Sequence, residues 1–343
     1  MLAPLSAIYG RAVLARRRRF ESRPASRRRL ARPVVSVGNL AVGGSGKTPF
    51  TRWLAGYLVS AGQRPSILSR GYGRRSPDAA VVVVSDGSDV LADLARAGDE
   101  PLMIARSVAG AVVLVCAERH RAGVIAEEHF SCTVHLPDDG FQHVRLERDV
   151  DLLMLDEQDL HDRVLPAGRL REPLEAARSA DAVLWTGSAG APDTVTRLGV
   201  KETFRLRRTP GPVTALSGEE HIAPGTPVAA LAGVARPSRF FRELRDTGLE
   251  IRVELPYRDH HPYSPADVAR IGEAVTRAGA QWVVTTEKDL VRLLALGHLP
   301  FRVAWRRLDV VPEDPDAFCR WLDSRLQAAR DMRPRTGAGA TIV

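Results

Sequence analysis

The chain has 343 residues, 44% hydrophobic and 26% charged, which is the make-up of an ordinary soluble globular protein long enough for two domains. Its net charge of +8 is carried by arginine, since lysine occurs only at 47, 201 and 288, and it points to a polyanionic partner: nucleic acid, an anionic membrane surface or a phosphorylated substrate. Cys116, Cys132 and Cys319 lie far apart with no C-x-x-C pair, which excludes a disulfide framework, and no apolar run approaches the roughly 18 to 20 residues that span a bilayer.

Residues 1 to 20 place Leu2, Leu5, Ile8, Tyr9, Ala12 and Val13 on one helical face, with Arg11 and Arg16 to Arg19 beside and beyond it. Two readings stand open: a helix lying in a membrane interface, or a core-packing helix followed by a solvated basic linker. A nucleic-acid arm fits less well, because no aromatic residues alternate with the arginines. The charges follow the apolar part, against the order of a signal peptide, so the expected location is the cytosol or the cytosolic side of a membrane.

Pro33 to Val37 reads as a short buried strand and Gly43-Gly44-Ser45-Gly46 as a loop free to take positive φ, with Lys47-Thr48 opening a helix. This is the layout of a phosphate-binding loop. Backbone N–H groups of Gly43 to Thr48 would cradle the phosphates of a nucleotide, Lys47 would reach the β/γ oxygens and the Thr48 hydroxyl would ligate Mg²⁺. Ala41 stands where the usual pattern has its first glycine.

Further short strands are predicted at 66–68, 112–115, 133–136, 152–155 and 182–185, with helices between most of them. The alternation predicts an α/β fold: a parallel sheet with helices on both faces and ligands at the carboxyl ends of its strands. Val81 to Val84, after the turn signals of Gly71 to Pro77, reads as an added hairpin, a candidate lid over the nucleotide. Asp99 and Glu100 open a helix, where Asp99 is placed to accept a proton from an incoming hydroxyl, or both acids simply complement the helix dipole. Asp138-Asp139 follows a strand, where the acid of a P-loop enzyme meets its metal. Arg70, Tyr72, Gln142, His143 and Arg171 sit on loops leaving the sheet and are candidate substrate or phosphate contacts, as is Glu100.

Near 195 the pattern changes. Residues 202–207 and 301–308 read as two exposed strands flanking a smaller α/β unit, in which Ser264-Pro265-Ala266-Asp267 predicts a helix from 265 to about 278. The expected organisation is 1–30 basic amphipathic helix and linker, 31–195 core, 196–215 and 300–312 two-stranded linker, 216–299 smaller domain, and 313–343 helix and disordered tail. In Asp259-His260-His261, one histidine is expected to be an acid–base partner and the other structural, and the residues do not say which. Thr286-Glu287-Lys288-Asp289 faintly resembles a guanine-reading motif but lacks its Asn.

With these stretches assembled, the chain resembles the tetraacyldisaccharide 4′-kinase family of lipid A biosynthesis. The match is carried by Val37-Gly38-Asn39, Val42 to Pro49, Ser69 to Gly73, Gly98 to Pro101, Asp138 to His143, Leu165 to Gly168 with Leu170 to Pro173, Ala232 to Pro237, Asp259 to His261 and Thr285 to Asp289. The resemblance implies transfer of the ATP γ-phosphate, with Mg²⁺, to the 4′-hydroxyl of an acylated glucosamine disaccharide 1-phosphate at the inner membrane, with neither nucleic acid nor an obligate protein partner. It implies an Asp–His dyad at Asp99 and His261, metal-binding acid at Asp139 with Asp138 beside it, and an interfacial role for residues 1 to 20. It also makes Ala41 ordinary. Two other classes stand beside it: a membrane-associated P-loop ATPase switch, which often carries a Lys where Val42 stands, and a soluble small-metabolite kinase, which leaves the N-terminal helix unexplained.

Overall fold

The computed structural model describes residues 2–72, 74, 80–187, 190–218 and 222–333. Helix α1 (Ala3–Glu21) precedes β1 (Val35–Asn39), α2 (Lys47–Ser60), β2 (Pro65–Ser69), β3 (Val82–Asp86), α3 (Leu94–Ala97), α4 (Asp99–Ser107) and β4 (Val112–Val115). Then come α5 (Arg119–Phe130), β5 (Val134–Pro137), β6 (Val150–Leu155), α6 (Glu157–His161), β7 (Ala182–Trp185) and α7 (Asp193–Thr196). The long β8 (Glu202–Ala215) leads into β9 (Pro227–Ala232), α8 (Pro237–Arg245), β10 (Glu250–Pro256), α9 (Pro265–Ala278), β11 (Trp282–Thr286) and α10 (Glu287–Leu294). β12 (Val303–Pro312) and α11 (Pro315–Asp331) follow.

The strands run β3-β4-β2-β5 in one sheet and β1-β6-β7-β8-β12-β11-β9-β10 in the other. Parallel bridges Val34–His135 and Val37–Asp138 lay β5 alongside β1, so the two sheets continue into each other there. This places Asp138 and Asp139 beside the strand that feeds the phosphate loop. β8 pairs with β7 through its first residues and then runs antiparallel to β12, which itself pairs with β11. The β8–β12 ribbon therefore lies between β7 and β11 within the eight-stranded sheet.

One expectation changes. β3 is no lid: it pairs antiparallel with β4 as the edge of its sheet, because its run of valines has an open strand edge to join. Residues 73 and 75–79 of the preceding turn lie outside the described residues. Of the helix and tail expected over 313–343, α11 reaches Asp331, and the rest of the expected tail, 334–343, lies outside the described residues. The helix expected at 265 is capped as its sequence dictates: Ser264 Oγ accepts the Asp267 N–H and Asp267 Oδ2 accepts the Ser264 N–H.

The phosphate loop is held on a rigid base. Phe50, Leu54 and Leu58 project from one face of α2 with no exposed surface, and each contributes about 1.5–3 kcal/mol by burial. Phe318 of α11 meets the Phe50 ring edge-on at 5.7 Å. Arg52 on the same helix reaches Glu287 at 2.6 Å and Asp309 at 2.8 Å, tying α2 to α10 and to the ribbon.

Helix α1 leaves most of its predicted apolar face outside the core, with Leu14 packed on it. It docks through Ser6, Gly10 and Arg17, while Leu2, Leu5, Ile8 and Tyr9 face outward, Ile8 with 64% of its surface exposed. Gly10 permits the contact, since a Cβ there would stand 3.3 Å from Pro173. Arg17 forms a buried pair with Glu172 at 2.7 Å and lies 4.1 Å over the Phe141 ring. Ser6 Oγ accepts the Ala167 N–H at 3.0 Å, so α1 braces the loop that carries Arg171.

Candidate active site

The phosphate loop takes the shape its glycines allow. Gly43 and Gly46 have φ of 110° and 92°, and Gly46 is the left-handed N-cap of α2. Lys47 Nζ donates to Asn39 Oδ1 at 2.8 Å and lies 3.4 Å from Asp139. Asp139 receives both terminal nitrogens of Arg171 at 2.7 Å. Partial burial opposes ionisation of Asp139, but Lys47 and Arg171 outweigh it and hold the carboxyl well below the usual range.

Asp138 is in a different setting one residue earlier. It is 4% exposed and accepts a hydrogen bond from Thr51 at 3.2 Å. Burial, with Glu100 adding its charge and Lys47 opposing, pushes its carboxyl up to about 7. α2 packs against α4, which brings the two motifs together.

The second constellation joins residues far apart in sequence. Asp99, 4% exposed at the start of α4, lies 2.9 Å from His260 Nδ1 across 161 residues of sequence. The expected partner was His261; the structure gives His260. The cause is backbone conformation: His260 has φ +55°, which sends adjacent histidines in different directions. His261 instead packs on Tyr257 and Tyr263, 3.3 Å from Asp267. His260 and Asp139 are two of three non-glycine residues with positive φ among the described residues, the third being Ser131. Backbone strain of this kind collects where function requires an orientation.

Lys288 fixes the proton of this pair. Its Nζ stands 2.9 Å from His260 Nε2 and 3.0 Å from Glu100. Burial disfavours its charge, but Glu100, Asp99 and Asp259 more than compensate and raise its pKa. An ammonium only donates, so His260 Nε2 accepts and Nδ1–H donates to Asp99. Burial likewise works against Asp99, yet His260, Lys288 and Arg292 keep its carboxyl below the ordinary range. The Tyr72 ring meets His260 edge-on at 4.8 Å, and the Glu100 N–H donates to Asp99 Oδ1 at 2.9 Å.

The other expected contacts form a cationic rim. His143 is pushed down to about 4 by burial and by Arg119, Arg148, Arg145 and Arg16, so it is neutral. Arg119 is buried at the start of α5 and is brought down to about 10 by burial and by exposed Arg70. Gln142 Nε2 donates to the Asn39 carbonyl at 3.0 Å.

A family model described as Tetraacyldisaccharide-1-P 4′-kinase (LpxK) matches residues 1–327. The chain belongs to this family. Proteins named tetraacyldisaccharide 4′-kinase share 39% identity in Pelobacter propionicus, covering 95% of this chain and 92% of that protein, and 40% in Rhodopseudomonas palustris, covering 98% and 94%. The crystal structure of the Aquifex aeolicus kinase described as an "apo" form in complex with ATP superposes with a TM-score of 0.76 at 30% identity, over 95% of this chain and 98% of that one. The fold is thus that of a P-loop kinase, and ATP with Mg²⁺ is its expected ligand.

The kinase residues present fit those ligands. Among the described residues, the buried atoms Asn39 Nδ2, Ser45 Oγ, Gln142 Oε1 and Arg171 Nε have no hydrogen-bond partner, and they surround the loop. Thr48 in the first turn of α2 and the Asp138–Asp139 pair supply the hard oxygen donors magnesium takes. Lys288 and Arg119 were missed in sequence. Lys288 had a signal: in a chain with three lysines, the one inside Thr-Glu-Lys-Asp stands out as much as Lys47. That motif reads no base here. Thr286 caps α10, Glu287 holds Arg52, Lys288 holds His260, and Asp289 accepts from Gly233 N–H and Tyr263.

Proposed function

We propose that the chain transfers the γ-phosphate of ATP to the 4′-hydroxyl of an acylated glucosamine disaccharide 1-phosphate, giving the 4′-phosphorylated lipid. The observation that carries the reading is that α4, whose Asp99 is paired with His260, packs against α2, which opens at the phosphate loop and whose Thr51 holds Asp138. A P-loop that only hydrolysed ATP has no need of a buried carboxylate oriented by a histidine from a distant part of the chain.

In this reading the triphosphate lies along Gly43 to Thr48, and Lys47 leaves Asn39 and Asp139 to meet its terminal oxygens. Thr48 and Asp139, with Asp138 beside them, would hold magnesium, which would supply charge neutralisation for the phosphates. Asp99 receives the hydrogen bond of the acceptor hydroxyl. As the hydroxyl oxygen bonds to the γ-phosphorus and the bond to the bridging oxygen breaks, the proton passes to Asp99 and ADP departs. A carboxylate with a lowered pKa is a weak base, which suits a late proton transfer in a loose transition state. His260 holds Asp99 in place, and Lys288 holds the tautomer of His260. Arg119, Arg145 and Arg16 act on neutral His143, and Arg70 acts on Arg119; these cations suit the phosphate the acceptor already carries.

No described helix is long and apolar enough to cross a membrane. The outward face of α1 supports attachment from the cytoplasmic side of the inner membrane, its leucines and isoleucine in the interface and its arginines on anionic headgroups. Leu5→Ser with Ile8→Ser is expected to weaken partition onto anionic vesicles at least about tenfold, since burying each side chain is worth about 1.5–3 kcal/mol, without lowering the melting temperature. Sedimentation with vesicles measures it, and unchanged partition rejects the interfacial role.

The test of the reaction uses γ-labelled ATP and the acylated disaccharide monophosphate in mixed micelles. Label is expected in the lipid. ATP turnover with no label in lipid would overturn the reading in favour of a P-loop ATPase switch.

A further inference from the structure

Arg208 stands on the β8–β12 ribbon, opposite Val310 in the antiparallel register. Its terminal nitrogen lies 3.4 Å from where a Cβ on Gly46 would stand, and Val310 approaches the same point at 3.3 Å. The ribbon thus brings a guanidinium directly against the N-cap of α2. A half-buried arginine there needs a reason.

Its own surroundings do not supply one. Arg208 Nε is buried without a hydrogen-bond partner, and the nearest carboxylate, Glu243, is 3.9 Å away, beyond hydrogen-bond reach. Glu243 is also shared, for Arg239 holds it at 3.2 Å. Arg236, on the loop before α8, pairs with Asp156 at 2.9 Å. Three arginines therefore face two carboxylates beside the phosphate loop, and Arg208 has the longest of the three pairs. Burial and Arg239 lower its pKa to about 10, so the guanidinium remains charged at neutral pH.

We infer that Arg208 is a nucleotide-binding residue, delivering from the ribbon a second cation to the β-phosphate region of the bound nucleotide while Lys47 serves the terminal phosphate. A guanidinium presents parallel N–H donors that match two phosphate oxygens, and the left-handed Gly46 leaves it room to approach the loop. The nucleotide would then bind the ribbon as well as the loop. The inference concerns nucleotide alone and stands or falls independently of the acceptor.

The test measures binding of Mg-ATP, Mg-ADP and AMP to the full chain by calorimetry. Arg208→Gln is expected to weaken ATP and ADP by about 10- to 100-fold, the range of a charge-assisted hydrogen bond, and to leave AMP unchanged. Arg208→Lys, which keeps the charge and loses the fork, is expected to recover part of that affinity. Equal weakening of all three nucleotides would assign Arg208 to ribbon packing and overturn the inference, as would no change. Should Arg208→Gln fail to fold, Glu243→Gln decides: relieving the counter-charge is expected to tighten ATP and ADP, and unchanged or weaker binding would overturn the inference.

Discussion

Asp99→Asn is expected to lower kcat about 10²- to 10⁴-fold, the contribution typical of a positioned proton acceptor, while ATP affinity stays near that of the unaltered chain. The substitution keeps the shape but leaves one acceptor oxygen where the carboxylate uses two, Oδ1 for the Glu100 N–H and Oδ2 for His260 Nδ1–H, so it removes proton acceptance together with one of these hydrogen bonds. Asp99 lies outside the phosphate loop, so nucleotide binding has no reason to fall. Steady-state kinetics in mixed micelles, paired with calorimetry of ATP binding, separates the two quantities. A kcat near that of the unaltered chain would remove Asp99 from the chemistry. A large loss of ATP affinity would instead assign it to the nucleotide.

Arg17→Met is expected to cost about 3–5 kcal/mol of stability, the penalty for breaking a buried pair from one side. Arg17 and Glu172 have side chains 4% and 3% exposed, so Glu172 would be left charged and without its partner under α1. The Phe141 carbonyl would lose its Arg17 donor as well. Catalysis should suffer too, because Glu172 follows Arg171, whose guanidinium clamps Asp139. Thermal and denaturant unfolding measure the first effect and kcat the second. Replacing both partners, Arg17→Met with Glu172→Gln, should recover part of the stability, because the stranded charge is then absent. A single-variant cost below about 1 kcal/mol would mean the pair behaves as a surface contact.

The order of elements was readable because it rests on local signals. The strand before Gly43, the Gly46–Lys47 helix start and the Ser264 cap each follow from a few neighbouring residues, and the structure places them where those residues dictate. The misread parts depend on distant partners. Val81 to Val84 looks like a free hairpin until β4 offers its edge, and α1 docks through Ser6, Gly10 and Arg17 rather than through most of the apolar face its sequence presents. The two histidines show the limit most clearly. Residue type and spacing placed an acid–base histidine at Asp259-His260-His261, but the choice between them is made by one φ angle at His260 and by Lys288, 28 residues on. Resemblance to the family pointed to the neighbour. Arg208 was invisible for a related reason: an arginine-rich chain hides an arginine whose distinction is that the ribbon brings it against Gly46.

The central claim is that Asp99 acts through His260, and one comparison tests it: kcat of His260→Gln and His261→Gln in lipid phosphorylation from γ-labelled ATP, with unfolding curves for both. His260→Gln is expected to lower kcat about 10²-fold, the low end for a group that handles or orients a proton, with little change in melting temperature. His261→Gln is expected to lower the melting temperature by loosening the Tyr257–Tyr263–Asp267 cluster while leaving kcat close to that of the unaltered chain. Full activity in His260→Gln, with the loss of kcat falling on His261→Gln, would contradict the pairing.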